Sequence, residues 1–113
     1  MTQIDLLKDD HGLRGFHAHG HAGFGHAGQD IVCAAISALT QSVWIGLETV
    51  AAADIRADSN EDTGDMRVSF HDEADSAPWH DAQVLLRTLE ETLASLEDAY
   101  PGHIQINKRR WKP

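Results

Sequence analysis

The chain has 113 residues, with nine Lys and Arg against eighteen Asp and Glu, a formal charge of −9, one cysteine and eight histidines. A single domain over residues 1–113 is expected, burying roughly 65% of its unfolded surface around one core. One cysteine excludes an internal disulfide and makes a reducing cytoplasm the default compartment. The acidic balance argues against direct contact with nucleic acid, and Met1-Thr2-Gln3-Ile4-Asp5 lacks the basic and apolar regions of a signal peptide.

Residues 2–8 alternate partially, with Ile4, Leu6 and Lys8 on one side and Gln3, Asp5 and Leu7 on the other, and Asp9-Asp10-His11-Gly12 has turn chemistry. Residues 13–19 return as the second strand of a hairpin. Residues 20–28 contain four glycines in nine positions, which predicts a mobile loop. Asp30 then offers an N-cap for a long helix whose apolar stripe is Val32, Ile36, Leu39, Val43, Leu47 and Val50. Cys33, Ser37, Gln41, Trp44 and Glu48 fall about 100° further round, on a neighbouring face. The apolar run continues to Ile55, but Thr40, Gln41, Ser42, Glu48 and Asp54 interrupt it, so no membrane span is expected.

Residues 54–59 and 66–71 flank the acidic turn Asn60-Glu61-Asp62-Thr63-Gly64-Asp65 and predict a second hairpin. Ser76 as cap and Pro78 near the start open a final helix with the stripe Ala82, Leu85, Leu86, Leu89, Leu93, Leu96 and Tyr100, stopped by Pro101-Gly102. Residues 103–107 add a short closing strand. The reading is an α+β fold in two layers, β-β-α-β-β-α plus that short C-terminal strand, with two helices packed on one sheet. Charge is uneven: residues 1–107 hold five basic and all eighteen acidic residues, whereas residues 108–113 carry +4. This tail is open to RNA, an acidic partner or the protein's own acidic surface, with a solvated terminus the default expectation.

The candidate chemistry lies where loop meets helix. A thiol attacks only as thiolate, which a helix N-terminus favours, and the sequence places Cys33 in the first turn. His21, twelve residues upstream across the glycine loop, is positioned to take the thiol proton or pair with the thiolate. Amides at the helix start could hold an oxyanion. The plainer alternative is that Cys33 is an inert small hydrophobe in an apolar helix.

The string Gly20-His21-Ala22-Gly23, followed by Gly28-Gln29-Asp30-Ile31-Val32-Cys33-Ala34-Ala35-Ile36-Ser37-Ala38-Leu39, resembles the signature of the ribosomal-processing cysteine proteases, the Prp family. The likeness is close over the loop and first helix and looser through the acidic hairpin, the Leu-rich helix and Tyr100-Pro101. It implies a cytoplasmic, homodimeric cysteine endopeptidase that removes a short N-terminal extension from a large-subunit ribosomal protein. It also implies His21 as general base and Cys33 as nucleophile, without metal or organic cofactor. Asp30 and Ser37 match further family positions. Asp30 would cap the helix or orient His21, and Ser37 would lie one turn below the thiol, but each reads equally well as an ordinary N-cap and an ordinary helix serine.

Two rivals stand beside this reading. His17, His19 and His21 alternate, and with His26 or His71 they could bind zinc, making the chain a histidine-based metal-binding protein. The glycines after His19 argue against a strand reaching His21, so exposed strand residues are the plainer reading of His17 and His19. Alternatively, Trp44, Trp79, Trp111 and the basic tail could serve a non-catalytic dimeric module on the ribosome.

Overall fold

A computed structural model describes residues 1–20 and 27–113, giving only the backbone for residues 27–30. In chain order the elements are β1 (Thr2–Lys8), β2 (Leu13–His19), α1 (Ala27–Ile45), a single π-helical segment (Gly46–Val50), β3 (Ile55–Asn60), β4 (Asp65–Phe70), α2 (Ala77–Ala99) and β5 (Ile104–Arg110). The strands form one five-stranded sheet in the order β3-β4-β2-β1-β5. All neighbours are antiparallel except β1 and β5, which run parallel. The expected α+β architecture of one sheet and two helices is therefore observed.

Strand periodicity decides which face is covered. Ile4, Leu6, Phe16, Ala18, Val68, Phe70 and Ile104 turn toward the helices and join Val32, Ile36, Val43 and Leu47 of the first helical segment and Ala82, Leu86, Leu89 and Leu93 of α2 in one core. Each fully buried Leu, Ile or Phe among them contributes about 1.5–3 kcal/mol. The window Ile31–Val50 is long and apolar enough to cross a membrane by length and composition. Here its Val32–Ile36–Val43–Leu47 stripe is instead packed into the protein core.

The first helix departs from expectation at both ends. It is already helical at Ala27, so Asp30 lies inside it rather than at its N-cap, and Cys33 sits in the second turn rather than the first. Gly28 does not prevent this, since one glycine costs a helix only about 1 kcal/mol and its neighbours Ala27 and Gln29 are good helix formers. At the other end the Ala51 amide reaches back to the Gly46 carbonyl at 2.8 Å, a five-residue closure. The wider turn rotates the following residues, so Val50 is exposed and Ala51 takes the buried place. In α2, Ser76 occupies the N-cap position, but its hydroxyl donates back to the Glu73 carbonyl rather than capping the helix. Tyr100 falls just past the last turn and is exposed, not part of the buried stripe.

The basic tail is exposed, as expected of a terminus, but ordered as a strand through Arg110. Strand β5 extends through Arg110, paired with the whole length of β1, and the Trp111 amide bonds the Lys8 carbonyl at 2.7 Å. Lys108 meets Glu90, Arg109 meets Asp5 and Arg110 meets Asp10. Within the chain, the tail thus meets the protein's own acidic residues. The three tryptophans of the non-catalytic reading are engaged internally: Trp44 packs against the core, and Trp79 and Trp111 flank Arg14.

The β2–β4 pairing is unusually close at Gly15, where an added Cβ would lie 2.0 Å from the Val68 carbonyl oxygen. Backbone atoms cannot give way there. Gly15→Ala is expected to destabilise the fold by about 3 kcal/mol or more, read as a lower denaturation midpoint in urea. An unchanged midpoint would mean that β2 and β4 are further apart.

Candidate active site

Helix α1 places Cys33 one position beyond the fully buried Val32, so the thiol lies at the edge of the core and is half-buried. Its Sγ is 3.6 Å from the hydroxyl of Thr2, thirty-one residues away in sequence. Thr2 is fully buried, and its amide bonds the His103 carbonyl at 3.0 Å, where β1 begins beside β5. The thiol is therefore seated against the first residue of a central strand. Nothing local in the sequence signals this partner, because only the α1-to-β1 packing brings the two together.

With α1 helical from Ala27, Cys33 lies six residues into the helix, about 9 Å along its axis. The partial charge of a helix terminus acts mainly within the first turn, so the α1 macrodipole is a smaller influence on the thiol than the sequence reading supposed. The free amides of the first turn are also a full turn away from it.

Ser37 follows one turn after Cys33 and lines a cleft of about 510 Å³. Gln41, Trp44 and Glu48 continue that wall along the helix, as their spacing predicts, and Ala18 and Ile36 also line it. The opposite wall is the β3–β4 turn, with Ser59, Asn60, Glu61, Gly64, Asp65 and Met66. The cleft thus combines apolar surface from Ile36, Trp44 and Met66 with carboxylates from Glu48, Glu61 and Asp65. It is suited to an extended segment with apolar and basic side chains. The contribution of the acidic turn to this wall was not visible in the sequence.

Of the four candidate residues, Cys33 and Ser37 share one face of α1, while His21 and the Asp30 side chain lie outside the described residues, as does His26. Residues 21–26 of the expected glycine loop lie there too. Gly20, the residue before them, has φ +78°, and a Cβ on it would meet the Met1 carbonyl at 3.2 Å, so this exit from β2 requires glycine. The histidines of the zinc reading separate. His71 packs against Trp111, whereas His17 and His19 stack on one face of β2 with ring centroids 4.5 Å apart. Their carboxylate neighbour is Asp5, the cross-strand partner of His17, and not a member of the set read from the sequence.

Comparison with known proteins gives this arrangement its context. The profile of the family described as cysteine protease Prp matches residues 1–105. The chain belongs to the Prp family. It is a cysteine-type peptidase by that membership. The ribosomal processing cysteine protease Prp of Staphylococcus aureus is 32% identical over 111 residues, covering 95% of this chain and 98% of the relative. Its Bacillus subtilis counterpart is 28% identical over 107 residues, covering 94% and 96%. The crystal structure of S. aureus Prp with a substrate peptide superposes with a TM-score of 0.85 at 24% identity, over 96% of this chain and 100% of that one.

Proposed function

We propose that this Prp-family chain is a one-domain endopeptidase acting on a ribosomal protein, with Cys33 as nucleophile and His21 as general base. The observation that carries the assignment is chemical: a cysteine protease needs a thiol, and the sequence holds one, Cys33, one helical turn before the cleft-lining Ser37. The Cys33 thiolate attacks the scissile carbonyl carbon, and the tetrahedral oxyanion collapses with cleavage of the C–N bond. His21, protonated by the thiol, gives that proton to the leaving amine. It then takes a proton from water, whose hydroxide displaces the thiolate from the acyl-enzyme thioester. No step calls for a metal or organic cofactor. Thr2 steadies the thiol, Ser37 contacts the bound peptide, and Asp30, in the first helical turn, orients His21.

The substrate is a short N-terminal extension of a large-subunit ribosomal protein. Support comes from the names of the relatives and from the acidic residues of the cleft, which complement a basic substrate. The enzyme works in the cytoplasm, where its substrate is made and a free thiol survives. It acts as a homodimer, for which exposed Ile31, Ile45 and Val50 supply apolar surface along the first helical segment.

The deciding experiment mixes the purified chain with the matching ribosomal protein from the same genome and follows its mass. Cleavage by wild type, lost in Cys33→Ala and in His21→Ala, is the expected result; cleavage by all three would overturn the assignment. For Thr2, the isosteric Thr2→Val is expected to lower kcat about tenfold with KM little changed and to move the acidic limb of the kcat/KM profile. A proportionate change in KM alone would assign Thr2 to substrate binding.

A further inference from the structure

The structure assigns the chain a second site: we infer that Asp5, His17 and His19 form a three-ligand seat for a divalent transition-metal ion of the zinc class. The site lies on the sheet face opposite the helices, apart from Cys33. Thr2, which touches the thiol, is directed to the helix face of β1, whereas Asp5 is three residues on and points to the other face.

Three observations converge. First, the potential ligand atoms of all three residues lie within 4.8 Å of one another. A tetrahedral ion with bonds of about 2.0–2.1 Å needs its ligands about 3.3 Å apart. One pair already meets this, since His19 Nε2 is 3.1 Å from Asp5 Oδ2, and modest rotation of the His17 ring closes the rest. Second, the backbone presets the cluster: His17 and His19 are alternate residues of one strand, and Asp5 faces His17 across the β1–β2 pair. Little ordering entropy remains to be lost on binding. Third, the carboxylate has outer partners. Asn107 donates to Asp5 Oδ1 at 3.2 Å and Arg109 lies 3.7 Å from the same oxygen, which leaves Oδ2 toward the histidines. Such supports orient a ligand and raise metal affinity.

Arg67 is the partner of His17 across the β2–β4 pair. Arg67 and Arg109 repel a cation, so micromolar rather than picomolar affinity is expected. Two imidazoles and one carboxylate leave a fourth position for water, a donor set that suits zinc, cobalt, nickel or copper rather than magnesium or calcium.

Zinc chloride titrated into the full chain at neutral pH, followed by calorimetry, should show one equivalent bound with micromolar affinity. His17→Ala/His19→Ala should weaken it by about 100-fold and Asp5→Asn by about tenfold, while Cys33→Ala binds like wild type. In the wild-type chain, the ring signals of His17 and His19 should shift together on zinc addition, a readout independent of how the variants fold. Absence of binding at micromolar zinc would overturn the inference. So would unchanged affinity in the double histidine variant, or a cobalt spectrum with thiolate-to-metal charge transfer, which would place the ion on Cys33 instead.

Discussion

Cys33→Ala is expected to lower kcat/KM for peptide cleavage by about 10⁴-fold or more while leaving the fold intact. The size of the effect follows from the mechanism. Without the sulfur no acyl-enzyme forms, and the cleft can only hold the peptide beside a histidine that has nothing to activate. The structural cost is small because Cys33 is half-buried and its neighbours Val32 and Ile36 carry the packing of that turn, so a stability loss of about 1 kcal/mol or less is expected. Peptide affinity should survive, making the variant suitable for trapping the complex. His21→Ala should lose a similar amount of activity, whereas His80→Ala, exposed on α2, should retain it. Mass spectrometry should find a thioester at Cys33 in a rapid quench of the wild-type reaction. Robust turnover by Cys33→Ala would remove the thiol from the chemistry altogether.

The contrast between what sequence reveals and what it hides is sharp in this chain. Both strands of the first hairpin are legible to the residue because alternation and the Asp9–Gly12 turn are local signals, and the leucine stripe of α2 is equally plain. Cys33 stands out because the string around it is distinctive. The parallel pairing of β5 with β1 has no such signal, since it joins residues about a hundred positions apart, and so the tail looked free when it is a strand whose Lys108, Arg109 and Arg110 meet Glu90, Asp5 and Asp10. The same long-range pairing creates the Thr2 seat for the thiol. The π-turn at Gly46 was hidden for another reason: a pattern assumed to keep 3.6 residues per turn continues smoothly onto Val50, and only the closure to Ala51 breaks it. Asp5 was missed because, as one carboxylate among eighteen, it gains meaning only from its register opposite His17.

Arg14 illustrates the same point energetically and carries the second large prediction. In sequence it is one cation in a strand, yet it is 5% exposed, with its guanidinium 4.8 Å from the rings of both Trp79 and Trp111 and 5.1 Å from Phe70. Its Nε donates to Asp9 at 2.6 Å, and its Nη1 donates to the Asp72 carbonyl at 2.5 Å. One side chain thus ties the β1–β2 turn to the segment leading into α2 and to the residue following β5. Arg14→Ala would empty an aromatic cage, orphan a carbonyl and leave the Asp9 carboxylate without its cation. We expect a loss of about 3–5 kcal/mol, lowering Tm by about 10–20 °C. Arg14→Lys should recover only part of this, because an ammonium keeps the charge but not the planar fork that stacks between two indoles. Asp9 gives the loss a pH signature. Burial pushes its carboxyl up, but the Arg14 hydrogen bond and the amides of His11 and Gly12 prevail and hold it below its ordinary value. Because the folded pKa is depressed, this contribution is fully present above the ordinary carboxylate pKa, about 3.9, and disappears as pH falls through the lower folded value. Wild type should therefore lose stability on acidification through that window more steeply than Arg14→Ala, the gap narrowing by the Asp9 share and leaving the cage and Asp72 carbonyl share at the acid end. Parallel curves would show that Asp9 draws its stabilisation from the turn amides alone.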